Sequence, residues 1–321
     1  MNAPDPDLAG LVSHGLIPPG AEPERVSTGC IWSEGPVWIP ELLAVRWSDI
    51  RTNRIMQWSW ESGDTVVYDA DPQFTNGRTL DLDGSVLQCS HGRRRVERDR
   101  GGEVTAIATQ WQGHRLNSPN DIVVTRDGAI WFTDPDYGIT QPDEGHAGEL
   151  EYGDHWVFRV APGSATPESD PVPVVTDCVR PNGLAFSPDE STLYIADSGD
   201  GAQRIVAYDI SPATPAAATT GEGDQGAGSA APTVGPPRLF ATPRPGTPDG
   251  IRVDVDGNVW SSSAAGVQVY SPEGELLGGI PVPEVNSNLC WGGPDGTTLF
   301  MTASTSLFRI PTLTRDAHQR W

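Results

Sequence analysis

No stretch of this 321-residue chain approaches the run of about 18 apolar residues that a membrane-spanning helix needs. No secretory leader is expected either, because Met1-Asn2-Ala3-Pro4-Asp5-Pro6-Asp7 has neither a basic start nor an apolar core. The four cysteines, Cys30, Cys89, Cys178 and Cys290, include no CxxC pair, which removes thiolate zinc sites and redox motifs. Their wide spacing suits free thiols in a reducing compartment, so a cytoplasmic location is expected. The six histidines never fall in HxH, HxxH or HExxH spacing, so a histidine-built zinc centre is not expected. There is no Gly-x-Ser-x-Gly elbow for a serine nucleophile and no glycine-rich phosphate loop.

Positive charge is scarce. Against 43 Asp and Glu stand 21 Lys and Arg, a formal net charge of −22. Such a field repels phosphate backbones and anionic lipid surfaces, so neither nucleic acid nor membrane is an expected partner. It attracts cations. What the chain does have is turn formers and aromatics. Gly (36) and Pro (30) make up about a fifth of it, with 11 Trp and 37% hydrophobic residues. The length exceeds what one ordinary core supports, so the choice is two domains or one repetitive architecture.

A repeat decides for the second. Six segments share one design, a small residue or Pro followed by a polar residue. They are Ser33-Glu34-Gly35-Pro36, Thr75-Asn76-Gly77-Arg78, Pro119-Asn120-Asp121-Ile122, Pro181-Asn182-Gly183-Leu184, Pro248-Asp249-Gly250-Ile251 and Ser287-Asn288-Leu289-Cys290. Seven residues after each polar anchor comes a turn: Glu41, Asp83-Gly84, Asp127-Gly128, Asp189-Glu190, Asp256-Gly257 and Asp295-Gly296. Asp-Gly between apolar runs is a strong hairpin signal. The next strand carries Trp47, Leu87, Trp131, Tyr194, Trp260 or Phe300, and three such strands end in Asp49, Asp134 or Asp197.

Anchor spacings of 42, 44, 62, 67 and 39 residues, with several strands per unit, predict an all-β, six-bladed β-propeller with a central tunnel. Residues 1–23 are expected as an N-terminal tail and 24–321 as one propeller. The two long intervals hold insertions, one through 141–145 and one at about 211–237, the latter read as a flexible surface loop. The last repeat has only three strands, so 25–28 is expected to supply the fourth and close the ring.

The first strand of a propeller blade lines the tunnel. Glu34, Asn76, Asn120, Asn182, Asp249 and Asn288 are therefore expected to converge at one mouth as two carboxylates and four carboxamides. Such a ring suits a hard divalent cation. Taken singly, each anchor is better read as a tight-turn or strand-end capping residue; six of six weaken that reading, because turn positions elsewhere in the chain also use Gly, Ser and Pro.

The long motif Asn117-Ser118-Pro119-Asn120-Asp121-Ile122-Val123-Val124, continuing into Asp127-Gly128-Ala129-Ile130-Trp131-Phe132-Thr133-Asp134-Pro135-Asp136-Tyr137-Gly138, closely resembles the bacterial branch of the gluconolactonase, regucalcin (senescence marker protein) and luciferin-regenerating-enzyme-like family. Asn76-Gly77-Arg78, Cys89-Ser90-His91-Gly92, Arg180-Pro181-Asn182-Gly183 and Pro248-Asp249-Gly250-Ile251 add to the resemblance, which runs from about Glu34 to Ile310. It implies one catalytic divalent metal, calcium first, with magnesium, manganese, zinc or ferrous iron as alternatives. It implies Glu34, Asn182 and Asp249 as metal ligands. Asn120 is implied in the metal shell or on the substrate, with His91 and Tyr137 near the pocket, His91 being equally a structural histidine. Asn76 is a candidate substrate contact by its place in the ring, and otherwise a turn residue or pocket wall. Animal members carry an Arg where this chain has Ser118. The implied activity is hydrolysis of a small lactone, a sugar aldonolactone such as gluconolactone first. The metal would polarise the carbonyl, and Asp249 or a metal-bound water would start the attack. A phosphotriesterase, a specialised non-sugar lactonase or biosynthetic enzyme, and a non-catalytic binding propeller are the competing readings. A monomer or small homo-oligomer is expected.

Overall fold

Four of the expected turns fold for one reason: the Asp carboxylate accepts the backbone N–H two residues on. Asp83 takes the N–H of Ser85 at 3.0 Å, Asp127 that of Ala129 at 3.0 Å, Asp189 that of Ser191 at 3.1 Å and Asp295 that of Thr297 at 3.2 Å. The residue after the Asp sits in the left-handed region, as Gly84 at φ 81 and Gly128 at φ 85 do. Where Glu190 replaces glycine it still adopts φ 61. In the first repeat a 3-10 turn, Pro40–Leu42, ending on Leu43 at φ 44, does the same work.

A computed structural model describes residues 7–212 and 231–318. These corners connect antiparallel strands into six blade sheets, the first five running outward in chain order, arranged as a six-bladed β-propeller; Gln110–Trp111 and His114–Arg115 form a separate two-stranded ribbon. The innermost strands are Ser33–Ile39, Thr75–Leu80, Ile122–Val124, Pro181–Phe186, Ile251–Val253 and Asn286–Gly292, opening blades 1 to 6. The sixth sheet is completed by Glu24–Thr28, which pairs antiparallel with Ser306–Pro311. The N-terminal strand thus closes the ring, as expected. Blade 4 has a fifth short strand, Thr233–Val234. The central part of the expected 211–237 loop lies outside the described residues.

Among the described residues the core divides into six apolar clusters, one between each pair of neighbouring blades. The expected second-strand residues, Trp47, Leu87, Trp131, Tyr194, Trp260 and Phe300, are all buried. The smallest cluster, Val37, Ile39 and Val86, lies between blades 1 and 2. There a polar network takes over. Arg46 lies 3.5 Å over the Tyr68 ring and 3.5 Å from Asp99, and fully buried Arg78 donates to Ser48 Oγ and the Gly35 carbonyl at 2.8 and 2.9 Å.

Ahead of the first strand, the segment read from the sequence as a tail holds a short helix, Leu8–Ser13, capped by Asp7. It packs on the outer strand Leu276–Pro281 of blade 5, and Leu11, Leu16 and Ile17 are buried in the cluster between blades 5 and 6. No described helix is long and apolar enough to cross a membrane. All four cysteines are buried and unpaired.

Candidate active site at the tunnel mouth

The anchors sit where the innermost strands irregularly leave their ladders. Strand register shifts between Glu34 and Val37, between Thr75 and Arg78, between Pro181 and Leu184, and between Asn286 and Asn288. A bulge leaves a residue unpaired and re-aims its side chain. The glycines that follow four anchors let neighbouring blades touch. A Cβ on Gly77 would strike Asn120 and Asp121, and one on Gly183 would strike the backbone of Asp249 to Ile251. Gly77 and Gly183 donate their N–H groups to the carbonyls of Asn120 (2.8 Å) and Asp249 (3.2 Å). The backbone after Asn76 and after Asn182 is thus tied to the next blade's anchor.

Three anchors are also held from behind. Buried Asp49 accepts the N–H groups of Ile31 and Trp32 at 2.9 and 3.1 Å, just ahead of Glu34. Asp134 accepts that of Asn117 at 2.7 Å, ahead of Asn120. Asp197 accepts those of Val179 and Arg180 at 3.1 and 2.9 Å, ahead of Asn182. The acidic strand ends are therefore fasteners of the anchor loops. Burial pushes the Asp134 carboxyl up to about 7, against donors from Tyr152 and the Asn117 backbone.

A cavity of about 230 Å³ lies at this mouth. Glu34, Asn76, Asn120, Asn182, Asp249 and Tyr137 line it together. Two other residues singled out by the sequence do not. Asn288 is buried, and its Oδ1 accepts the next N–H, that of Leu289, at 2.8 Å, a turn-type contact. His91 is fully buried behind the wall. Its Nδ1 donates to the Glu144 carbonyl at 2.9 Å, and its Nε2 faces Asn76 Nδ2 at 3.5 Å. Burial lowers it to about 4, so it is neutral near pH 7 and reaches the cavity through its neighbours.

The sequence reading missed Trp32, Arg51, Gln141, Glu144, Arg180, Ser198 and Thr247, which complete the wall. Trp32, Arg180 and Thr247 each stand two residues before an anchor, so the repeat offset itself carried the signal. Glu144 and Gln141 come from an insertion and had none. Arg180 binds Asp136 at 2.6 Å and lies 3.8 Å over the Tyr137 ring.

The electrostatics of the cavity are those of crowded acids. Glu34 is raised well above the usual carboxylate range by burial, then by the charges of Asp249 and Glu144; the Trp32 indole N–H (3.2 Å) and the Gly35 N–H (3.2 Å) oppose this. Asp249 is pushed up to about 8 by burial, then by Glu144 and Asp121, against a hydrogen bond from Asn182. Burial also raises Tyr137, against the opposing influence of Arg180, Ser198 and Asn182, so its hydroxyl keeps its proton. Two buried, mutually repelling carboxylates beside two carboxamides form a donor set that fits a hard divalent cation. Among the described residues no three His, Cys, Asp or Glu side chains gather at ligand spacing. A cation here would therefore draw on carboxamide oxygens as well.

Fold and site together define a propeller with an oxygen-donor pocket at one mouth of its tunnel. The SMP-30/Gluconolactonase/LRE-like region matches residues 32–305, and the chain belongs to that family. It is 31% identical over 313 residues to a gluconolactonase of Zymomonas mobilis, covering 91% of this chain and 81% of that protein. Among solved structures, one of a putative gluconolactonase superposes with a TM-score of 0.82 at 39% identity, covering 96% of this chain and 97% of that one. A gluconolactonase of Xanthomonas campestris superposes with a TM-score of 0.82 at 35% identity, covering 97% and 95%.

Proposed function

We propose that the chain is a divalent-metal-dependent hydrolase that opens a small lactone, a sugar aldonolactone first. The carrying observation is the convergence of Glu34, Asp249, Asn120 and Asn182 on one cavity at the tunnel mouth. Its support is a family whose members at 31–39% identity bear the name gluconolactonase. Glu34, Asn182 and Asp249, with Asn120, would hold the metal, calcium being the first candidate for an all-oxygen shell.

A divalent cation so held supplies a Lewis acid for the ester carbonyl. The chain's own residues do the rest. Trp32 and the Gly35 N–H fix the Glu34 carboxylate, so that it serves to hold rather than to titrate. Asp249 accepts the proton of the attacking water as its oxygen bonds to the carbonyl carbon. That proton passes to the ring oxygen when the C–O bond breaks, leaving a hydroxy acid. Asn120, Asn182 and Asn76 orient without titrating, and the Tyr137 hydroxyl remains a donor. Asp249 must be ionised to act, and a bound cation offsets the burial and repulsion that raise it.

The buried, unpaired thiols favour a cytoplasmic site of action, and a monomer or small homo-oligomer remains the proposed state. The test is a panel of lactones assayed by acid release, run beside a fluorophosphate ester. Aldonolactones turned over well above the rest support the reading. Turnover of the fluorophosphate alone overturns it.

A further inference from the structure

The ring acids reach the cavity through the repeat, but Glu144 does not. It comes from the connection 135–155 between the second and third strands of blade 3. The same connection in the other blades is only two to six residues long. This insertion puts Tyr137, Gln141 and Glu144 into the cavity wall and reaches Arg51 of blade 1, so it covers part of the mouth. It turns through the short helix Tyr137–Thr140 and packs back on itself, since a Cβ on Gly145 would strike the Gly138 backbone. A Cβ on Gly138 would lie 2.7 Å from His91 Cγ and 2.8 Å from Ser118 Cβ, so the cover rests directly on blades 2 and 3. Ser118 Oγ accepts the Gly138 N–H at 2.9 Å and donates to the Pro135 carbonyl at 2.7 Å. Ser118 is thereby committed to holding the cover.

Glu144 is the acid this cover brings in. Its backbone carbonyl is fixed by His91, and its carboxylate by Arg51 of blade 1, which approaches Oε1 through Nε at 3.3 Å and Nη2 at 3.2 Å. Arg51 itself lies 4.9 Å over the Trp32 ring. Both arginine contacts fall on Oε1, and a carboxylate offers about four acceptor sites. Accepting capacity therefore remains on a pre-oriented, nearly buried group that lines the cavity. A lactone bearing ring hydroxyls supplies donors for it; an unsubstituted lactone does not.

We propose that Glu144 is a specificity-determining residue: held by Arg51, its carboxylate accepts hydrogen bonds from substrate ring hydroxyls and selects hydroxylated lactones over bare ones. This rests on the lactone-hydrolase reading.

The test compares wild type, Glu144→Gln and Arg51→Gln on glucono-1,5-lactone and on δ-valerolactone, with melting and calcium titration of each variant. In Glu144→Gln the ratio of kcat/KM values, gluconolactone over valerolactone, falls on the order of tenfold, carried by KM, as loss of one charge-assisted hydrogen bond implies. Arg51→Gln moves the ratio the same way by a smaller factor, and carries the test if Glu144→Gln does not fold. A ratio within about twofold of wild type in the folded variants, whether both rates fall or neither does, overturns the proposal. So does a rise in the calcium needed for half-maximal rate, which would make Glu144 a cation-holding residue. A wild-type protein that opens neither lactone defeats the underlying reading, and the proposal with it.

Discussion

Gly183→Ala probes the ring closure that builds the site. The residue follows Asn182, is not in the left-handed region, and donates its N–H to the Asp249 carbonyl at 3.2 Å. An added Cβ would strike that carbonyl oxygen and lie 2.8 Å from both Gly250 Cα and Ile251 N. All three are backbone atoms, so no side chain can swing aside, and the first strand of blade 5 must move. Overpacking of this kind costs about 1–3 kcal/mol, and a weakened hydrogen bond adds about 1 kcal/mol. Removing a glycine from the unfolded chain returns about 0.4–1 kcal/mol. The net loss of about 1–3 kcal/mol corresponds, at roughly 2 °C per kcal/mol for a chain of this size, to a melting point lower by about 2–6 °C. The same movement separates Asn182 from Asp249, so the stabilisation by added calcium should shrink as well. Calorimetry with chelator and with calcium reads both effects. Gly153→Ala is the control, since its added Cβ meets only open space. It loses stability through its φ of 82 alone and keeps the calcium response. A Gly183→Ala protein that melts with wild type under both conditions would refute the packing argument.

Three further outcomes follow from the site. Asp249→Asn lowers kcat by at least about 100-fold, the usual worth of a positioned base, measured by acid release from gluconolactone. Retained calcium binding in that variant separates the base role from the ligand role. The raised Asp249 carboxyl, about 8 when folded against an ordinary 3.8, means the folded cation-free protein binds more protons than the unfolded one between those values. Its contribution is present below pH 4 and lost as pH rises toward 8, so in chelator the wild-type melting point falls relative to Asp249→Asn across that range. Calcium flattens the difference, and a difference that grows in the opposite sense contradicts the repulsion argument. Asp197→Ala removes the buried acceptor of the half-exposed Val179 and Arg180 N–H groups and costs about 1–3 kcal/mol by denaturant unfolding, while Asp197→Asn, which keeps an acceptor, costs less.

The repeat made the propeller legible because its determinants are local. Asp83, Asp127, Asp189 and Asp295 bend the chain through their own neighbours' N–H groups, wherever the blade ends up. The anchors were legible for the same reason, since their offset from the turn fixes their place on the innermost strand. Asn288 and His91 show the limit. Asn288 has the right offset, but its oxygen is engaged by the adjacent Leu289 N–H, and His91 stands behind Asn76. Glu144 and Arg51 meet across 93 residues of sequence through the fold of an insertion, and neither periodicity nor spacing encodes that contact.

The most direct measurement is calcium titration of chelator-stripped protein, with bound calcium and the rate of gluconolactone opening followed together. The account predicts one equivalent bound, activity rising with occupancy, and loss of both in Asp249→Ala. Full activity in chelator, or near-normal activity in Asp249→Ala, would contradict it.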